Sequence, residues 1–260
     1  MVHSLPGQQA GAFEMLMDAA WPAVDRRDTG EWVLRAAAGV IQRANSVWPR
    51  NTAVEPLAAL REAAQWYRER RLPLIFQMTD TPASARLHHV LDAEGFTRQS
   101  ETLIMSRNSG NGLQISGTAP VEVSDGPDEE WLHLWWSVDG RGGAAERETA
   151  RTILTGCLSL YALVRDDDGV PAAVGRLAMV HGTGGIYCMA TSPSARRRGY
   201  ATMVLRALLA EGTARNLENF WLLVTAANSA ARQLYQQAGF EETGRYLYRQ
   251  QRPRRALTGC

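Results

Sequence analysis

The spacing of apolar positions divides the chain into short helices and strands. Apolar side chains recur at helical spacing over 13–21, and the polar run 25–30, DRRDTG, predicts a turn. Strands are expected at 31–35 and at 44–48, the second broken by Pro49. Leu57, Leu60, Ala64 and Tyr67 share one helical face, 72–78 is a short apolar strand, and 84–94 is a helix stopped by Gly95. A strand at 102–105 ends this part. The pattern then resumes with a helix at 129–138 and strands at 160–164, 172–180 and 186–190. A helix at 201–215, a strand at 220–224, a helix at 229–238 and a strand at 246–248 complete it. The runs 166–169, DDDG, and 182–185, GTGG, are the turns between the middle strands.

Two features organise these elements. A stretch rich in Gly, Ser and Asn, 106–120, separates a first part from a second and reads as a linker. The segment from Ser84 to Phe96 also matches the segment from Asn228 to Phe240 in length and in its Gly-Phe end. The strands before them, LIFQMT and FWLLVT, correspond as well, which points to duplication of one unit. The expected domains are 1–107 and 120–252, with 108–119 between them.

Composition narrows the function classes. A net charge of +1 gives no global pull toward nucleic acid or an anionic membrane, so any anion site must be local. Cys157, Cys188 and Cys260 lie far apart with no CxxC, which favours a reducing cytoplasm over a disulfide framework or a zinc cluster. The first residues lack a basic segment followed by a long apolar run, so no secretory leader is expected. No apolar stretch approaches the ~20 residues of a membrane helix.

The chemistry concentrates between Met189 and Ala201. Three arginines, Arg196, Arg197 and Arg198, stand just before a helix, the wrong end for cations, and an external anion would resolve the conflict. Free amides at a helix start hold phosphates, and Gly199 allows close backbone approach. A solvated basic loop is the plain alternative. Asn228, Tyr235 and Gly239 form a second constellation. Taken singly they read as a helix cap, a core residue and a helix stop.

Together the two segments resemble the GNAT superfamily of acyl-CoA N-acyltransferases over roughly 121–249. Arg196-x-x-Gly199-x-Ala201 is similar to that family's pyrophosphate loop, entered from Met189-Ala190-Thr191 and the Ser192-Pro193 turn. Asn228-x-x-Ala231-x-x-Leu234-Tyr235-x-x-x-Gly239-Phe240 is similar to its second signature. The whole chain, with WVLRAA, RANSV at 43–47 and YLYR at 246–249, also resembles bacterial tandem GNAT proteins. The resemblance implies an α/β fold of two GNAT-like domains in tandem, each a mixed, mostly antiparallel sheet flanked by helices. It implies acetyl-CoA as cosubstrate, no metal, and a primary amine of a small molecule as acceptor. Backbone groups of Met189, Ala190 and Thr191 would meet the pantetheine arm and the thioester carbonyl. Amides of Arg197, Arg198, Gly199, Tyr200, Ala201 and Thr202 would cradle the pyrophosphate. Asn228 would line the cleft, and Tyr235 would protonate the leaving thiolate.

Departures from the pattern bear on the acceptor. Leu223 stands where some protein N-terminal acetyltransferases of this superfamily carry a Glu base. Tyr187, His181 and a water chain are the replacements considered, and Cys188 reads as a small core residue. Trp131, Trp135 and Trp136 either line an amine site or pack the core. His88 and His89 read as solvated, and the basic end 252–255 is too short to bind nucleic acid. In the first part Ser84 replaces the Asn and Leu91 the Tyr, and no pyrophosphate loop precedes the helix around Leu57, so that half is expected to be degenerate. A mycothiol-synthase-like acetyltransferase and a non-catalytic acyl-CoA-binding regulator are the competing functions; oligomeric state is not legible.

Overall fold

The computed structural model describes residues 6–79, 84–110 and 121–251. Its helices are α1 (Pro6–Ala20), α2 (Pro56–Glu69), α3 (Ala85–Ala93), α4 (Glu129–Asp139), α5 (Ala144–Leu154), α6 (Tyr200–Ala214) and α7 (Ser229–Gln237). Its strands are β1 (Asp25–Asp28), β2 (Trp32–Ala36), β3 (Trp48–Pro49), β4 (Ile75–Thr79), β5 (Phe96–Asn108), β6 (Val121–Ser124), β7 (Ser159–Arg165), β8 (Pro171–Val180), β9 (Thr183–Thr191), β10 (Asn219–Thr225) and β11 (Glu241–Gln251). Packing groups the described residues of 6–10, 23–101 and 245–251 into one compact unit, and 11–22 with 102–244 into another. These boundaries differ from the expected halves 1–107 and 120–252. Strand β5 runs on to Asn108, and the rest of the expected linker, 111–119, lies outside the described residues.

The second unit carries a large mixed sheet in the order β5-β10-β9-β8-β7-β6. All neighbours are antiparallel except β9 and β10. Helices α6 and α7 cover one face. Val204, Leu205 and Leu208 from α6 join Leu177, Ile186, Phe220 and Leu222 from the strands in one buried core. The opposite face carries Tyr161, Arg176, Tyr187 and Trp221, covered by α4 and the end of α1. Trp21 stacks on Tyr187 at 5.3 Å, and Phe13 meets the edge of Trp221 at 6.4 Å. Arg176 is fully buried there and donates to the terminal carbonyl of α1, Ala20 O, at 3.0 Å. A helix end leaves such carbonyls unsatisfied and favours a cation, so this guanidinium caps the end of α1.

The first unit contains a small antiparallel sheet, β1-β2-β3, and the antiparallel pair β4/β11, with α2 and α3. Two expectations fail here. The run 25–28 is strand β1 rather than a turn: its residues are all exposed and show no alternation, and pairing with the fully buried β2 makes the strand. The segment 44–48 is not a strand either. Asn45 Oδ1 accepts from Ala37 N and Gly39 N, while its Nδ2 donates to Val40 O and Ile41 O. One side chain thus closes 37–45 into a loop, and only the end is extended: Val47 bridges Phe76, and Trp48–Pro49 is strand β3. Buried Arg35 then donates to Ser46 O, Ser46 Oγ and Gln77 Oε1. WVLR and RANSV are therefore partners in one hydrogen-bonded cluster.

His88 is not a solvated side chain as expected. It accepts from the fully buried Arg249, Nη1 to Nδ1 at 3.0 Å, while Arg249 Nη2 binds Asp92 and Phe96 O. His89 is exposed, as expected. The YLYR ending thus clamps α3. Helix α5 and strand β6 were not anticipated; the Gly-Gly at 142–143 reads as a turn, and the buried positions Ala150, Ile153 and Leu154 come late in the helix. No described helix is long and apolar enough to cross a membrane.

Candidate active site

The site begins as a defect in the parallel pair. Strands β9 and β10 pair from Thr183/Asn219 only to Ile186/Leu222. Beyond that point each is still held on its outer side. β9 pairs with β8 as far as Thr191, and β10 pairs with β5 as far as Thr225. The inner edges therefore part, and main-chain groups of 188–191 face an opening with no strand across it. Unpaired strand edges are ready hydrogen-bonding templates, so the opening can take an extended chain of amides.

A bulge on β9 shapes this opening. Three steps from Tyr187 to Ala190 oppose two from Arg176 to Val174, and Cys188 has a φ of 54°. The bulge turns Met189 onto the α6 side, above Gly175. A Cβ on Gly175 would lie 2.6 Å from Met189 Sδ and 2.7 Å from Val204 Cγ1. On the other face Trp131 Nε1 donates to Gly175 O at 3.2 Å and to Ala162 O at 3.1 Å. Trp131 and Trp135 are buried, so both are core side chains, and Trp131 stabilises the strand opposite the bulge. Gly175→Ala should lower stability by about 1–3 kcal/mol, the usual cost of overpacking, read as a shifted denaturant midpoint. An unchanged midpoint would contradict the close contact.

The helix start lies just past β9. Pro193–Ala195 is a single 3-10 turn; Arg197 has φ 64° and Gly199 φ 86°, and α6 begins at Tyr200. The first helical donors, Thr202 N and Met203 N, reach Gly199 O at 3.0 and 3.2 Å. The Thr202 amide is thus engaged in the helix, and the start-of-helix donors are those of Arg198 to Ala201. Nothing lies within 4 Å above Gly199. Arg196, Arg197 and Arg198 are exposed, but Arg198 is not a reserve of free charge: it binds Asp167 at 2.7 Å and lies 5.3 Å over the Tyr200 ring. Asp167 belongs to the 166–170 turn, which Asp166 Oδ1 closes by accepting from Asp168 N and Val170 N. The Tyr200 side chain itself is buried, so only its amide can serve a ligand.

Asn228 caps α7, its Oδ1 accepting from Ala231 N at 3.1 Å. Seven residues on, Tyr235 is buried with its ring edge against Phe240. Its hydroxyl has no hydrogen-bond partner among the described residues and is not among the enclosed unpartnered atoms, so it opens to solvent. Burial pushes its phenol up to about 12, and the negative charge of Asp139 adds to the shift. Asp139, the last residue of α4, was missed in the sequence; a single Asp after Trp-Trp-Ser-Val carries no motif. Its own carboxyl is raised by desolvation, against Arg141 and the Trp135 indole. Leu223 is half-buried on β10, without acid-base chemistry. His181 lies in the turn before β9, and Tyr187, the first residue past the last β9–β10 pair, is buried with its ring against Trp21. No cluster of three metal-ligating side chains occurs among the described residues.

The family model described as "Probable histone acetyltransferase Rv0428c C-terminal" matches residues 9–249. The uncharacterized N-acetyltransferase YobR of Bacillus subtilis (strain 168) is 26% identical over 246 residues, covering 91% of this chain and 96% of YobR. Among solved structures, a GCN5-related N-acetyltransferase from Kribbella flavida superposes with a TM-score of 0.69 at 17% identity, covering 97% of both chains. A tandem GNAT protein from the clavulanic acid biosynthesis pathway gives 0.62 at 13% identity, over 91% of this chain and 86% of its own. At these identities the structures show a shared fold.

Proposed function

The chain belongs to the family of the probable histone acetyltransferase Rv0428c C-terminal region, and from that premise we propose that it transfers the acetyl group of acetyl-CoA to a primary amine of a small molecule. The observation that carries this reading is the parting of β9 and β10 beside a helix start with unspent amides. A thioester substrate with a pyrophosphate needs both: strand-edge groups for its amide arm and a helix N-terminus for its phosphates. Amides from Arg198 to Ala201 hold the pyrophosphate, and main-chain groups of 189–191 hold the arm and polarise the carbonyl. Asn228 serves through its cap, setting the pitch of α7 and so the position of Tyr235. The Tyr235 hydroxyl, protonated at neutral pH, donates to the departing sulfur. The amine attacks within the ternary complex, and no covalent enzyme intermediate is required.

The first unit is read as a degenerate counterpart of the second. Helices α3 and α7 both span nine residues and end at left-handed glycines, Gly95 and Gly239. Leu91, at the position of Tyr235, is fully buried in the first unit's core. Helix α2 starts with Glu55 at its cap and Pro56 at its first turn, an acid and a missing amide where α6 has Gly199 and Tyr200. An anion is repelled there and has one donor fewer. Calorimetric titration with acetyl-CoA should give one site per chain; two sites would contradict this. Turnover of acetyl-CoA with putrescine, tyramine and glucosamine, followed by thiol release, tests the activity itself.

A further inference from the structure

We propose that Asp139 is the base that takes the proton from the acceptor nitrogen. The inference rests on the acetyltransferase reading above. Its geometry starts at the other end of α4. Asp128 caps that helix by accepting from Trp131 N, and Glu130 pairs with Arg165 at the end of β7. Trp131 reaches Ala162 O and Gly175 O, so this face of α4 lies against β7 and β8. Trp131, Trp135 and Asp139 are spaced by four residues, and such residues share one helical face. Trp131 and Trp135 bury their rings, 6.0 Å apart, and the helix packs mainly on β8 and β9. The same stripe therefore carries Asp139 toward the side of β9 where the strands part. Its charge is felt there at Tyr235 on α7. Gly140 ends the helix at once, its N donating to Trp136 O, and a Cβ at Gly140 would strike the Trp136 ring.

The groups bearing on Asp139 are few. Arg141 follows it, the Trp135 indole donates to it from the same face, and Tyr235 on α7 feels its charge. Desolvation outweighs Arg141 and holds the carboxyl above the ordinary aspartate value, which makes it a better base than a solvated carboxylate.

The neutral amine uses its lone pair to form the C–N bond, and its nitrogen becomes cationic. Asp139 Oδ takes one N–H proton. As the tetrahedral centre collapses, the C–S pair leaves on sulfur, which receives the Tyr235 proton. The proton on Asp139 then passes through solvent to the Tyr235 oxygen, and both side chains are restored.

The test uses the full chain with acetyl-CoA and the three amines named above. Asp139→Asn should lower kcat by ~10²–10³-fold with the acetyl-CoA Kd unchanged, and Asp139→Glu should recover part of the loss. The wild-type rate should fall on the acid side as Asp139 protonates, and this limb should vanish in Asp139→Asn. In the same variant the Tyr235 phenol should titrate at lower pH, read as the ultraviolet difference from Tyr235→Phe. Wild-type turnover with unchanged kcat and pH profile in Asp139→Asn would overturn the assignment. A Tyr235 titration indifferent to Asp139 would overturn the placement even if the variant is unstable. A wild type inactive toward all three amines would instead sink the acetyltransferase reading on which the inference stands.

Discussion

Gly199→Glu should abolish acetyl-CoA binding, weakening it by ~100-fold or more. Two effects add. Gly199 has φ 86°, where any side chain other than Asn or Asp costs ~1–2 kcal/mol. The space above it is empty within 4 Å, so the glutamate extends into the very place a phosphate must occupy and brings like charge to it. Gly199→Asn separates the two effects, because Asn tolerates the left-handed conformation and adds no charge. It should keep the fold and a larger share of the affinity. Calorimetry reads both variants. Glutamate binding as tightly as wild type would remove the phosphate from this loop.

Tyr235→Phe should keep acetyl-CoA affinity and lower kcat by ~10²-fold. The ring stays buried against Phe240, so the packing survives and only the outward hydroxyl is lost. The raised phenol also fixes the sign of its pH behaviour. A folded value of about 12, above the unfolded value near 10, means the protonated form is favoured by folding. That stabilisation is fully present below pH 10 and is lost as pH rises through about 12. Tyr235 therefore remains a donor across the neutral range and adds no alkaline limb to the rate there. An unchanged kcat in Tyr235→Phe, with chemistry rate-limiting, would return the residue to packing alone.

Much of the candidate site was legible because the residues proposed for it sit in contiguous segments. The Gly199 loop, the Asn228 cap and the Tyr235 helix are each local, and their spacing survives in the one-dimensional pattern. What escaped depends on distant partners. The pairing of Arg198 with Asp167 joins positions 31 apart, so the loop's apparent excess of cations is partly neutralised in a way no local reading shows. Asp139 acquires its meaning only through Tyr235, nearly a hundred residues later. Strand β1 has no apolar alternation and exists because β2 needs an edge partner. The strand expected at 44–48 starts late because the Asn45 side chain is spent on Ala37, Gly39, Val40 and Ile41, contacts that no local pattern shows. The first unit's core was visible as a pattern.

A crystal structure of the chain grown with acetyl-CoA tests the central claim most directly. The expected result is one acetyl-CoA per chain, its arm between β9 and β10 beyond Ile186 and Leu222, its pyrophosphate on the amides of Arg198 to Ala201, and its sulfur facing Tyr235 Oη. Acetyl-CoA held by the first unit at the start of α2, or density absent from the opening between β9 and β10 at saturating concentration, would contradict it.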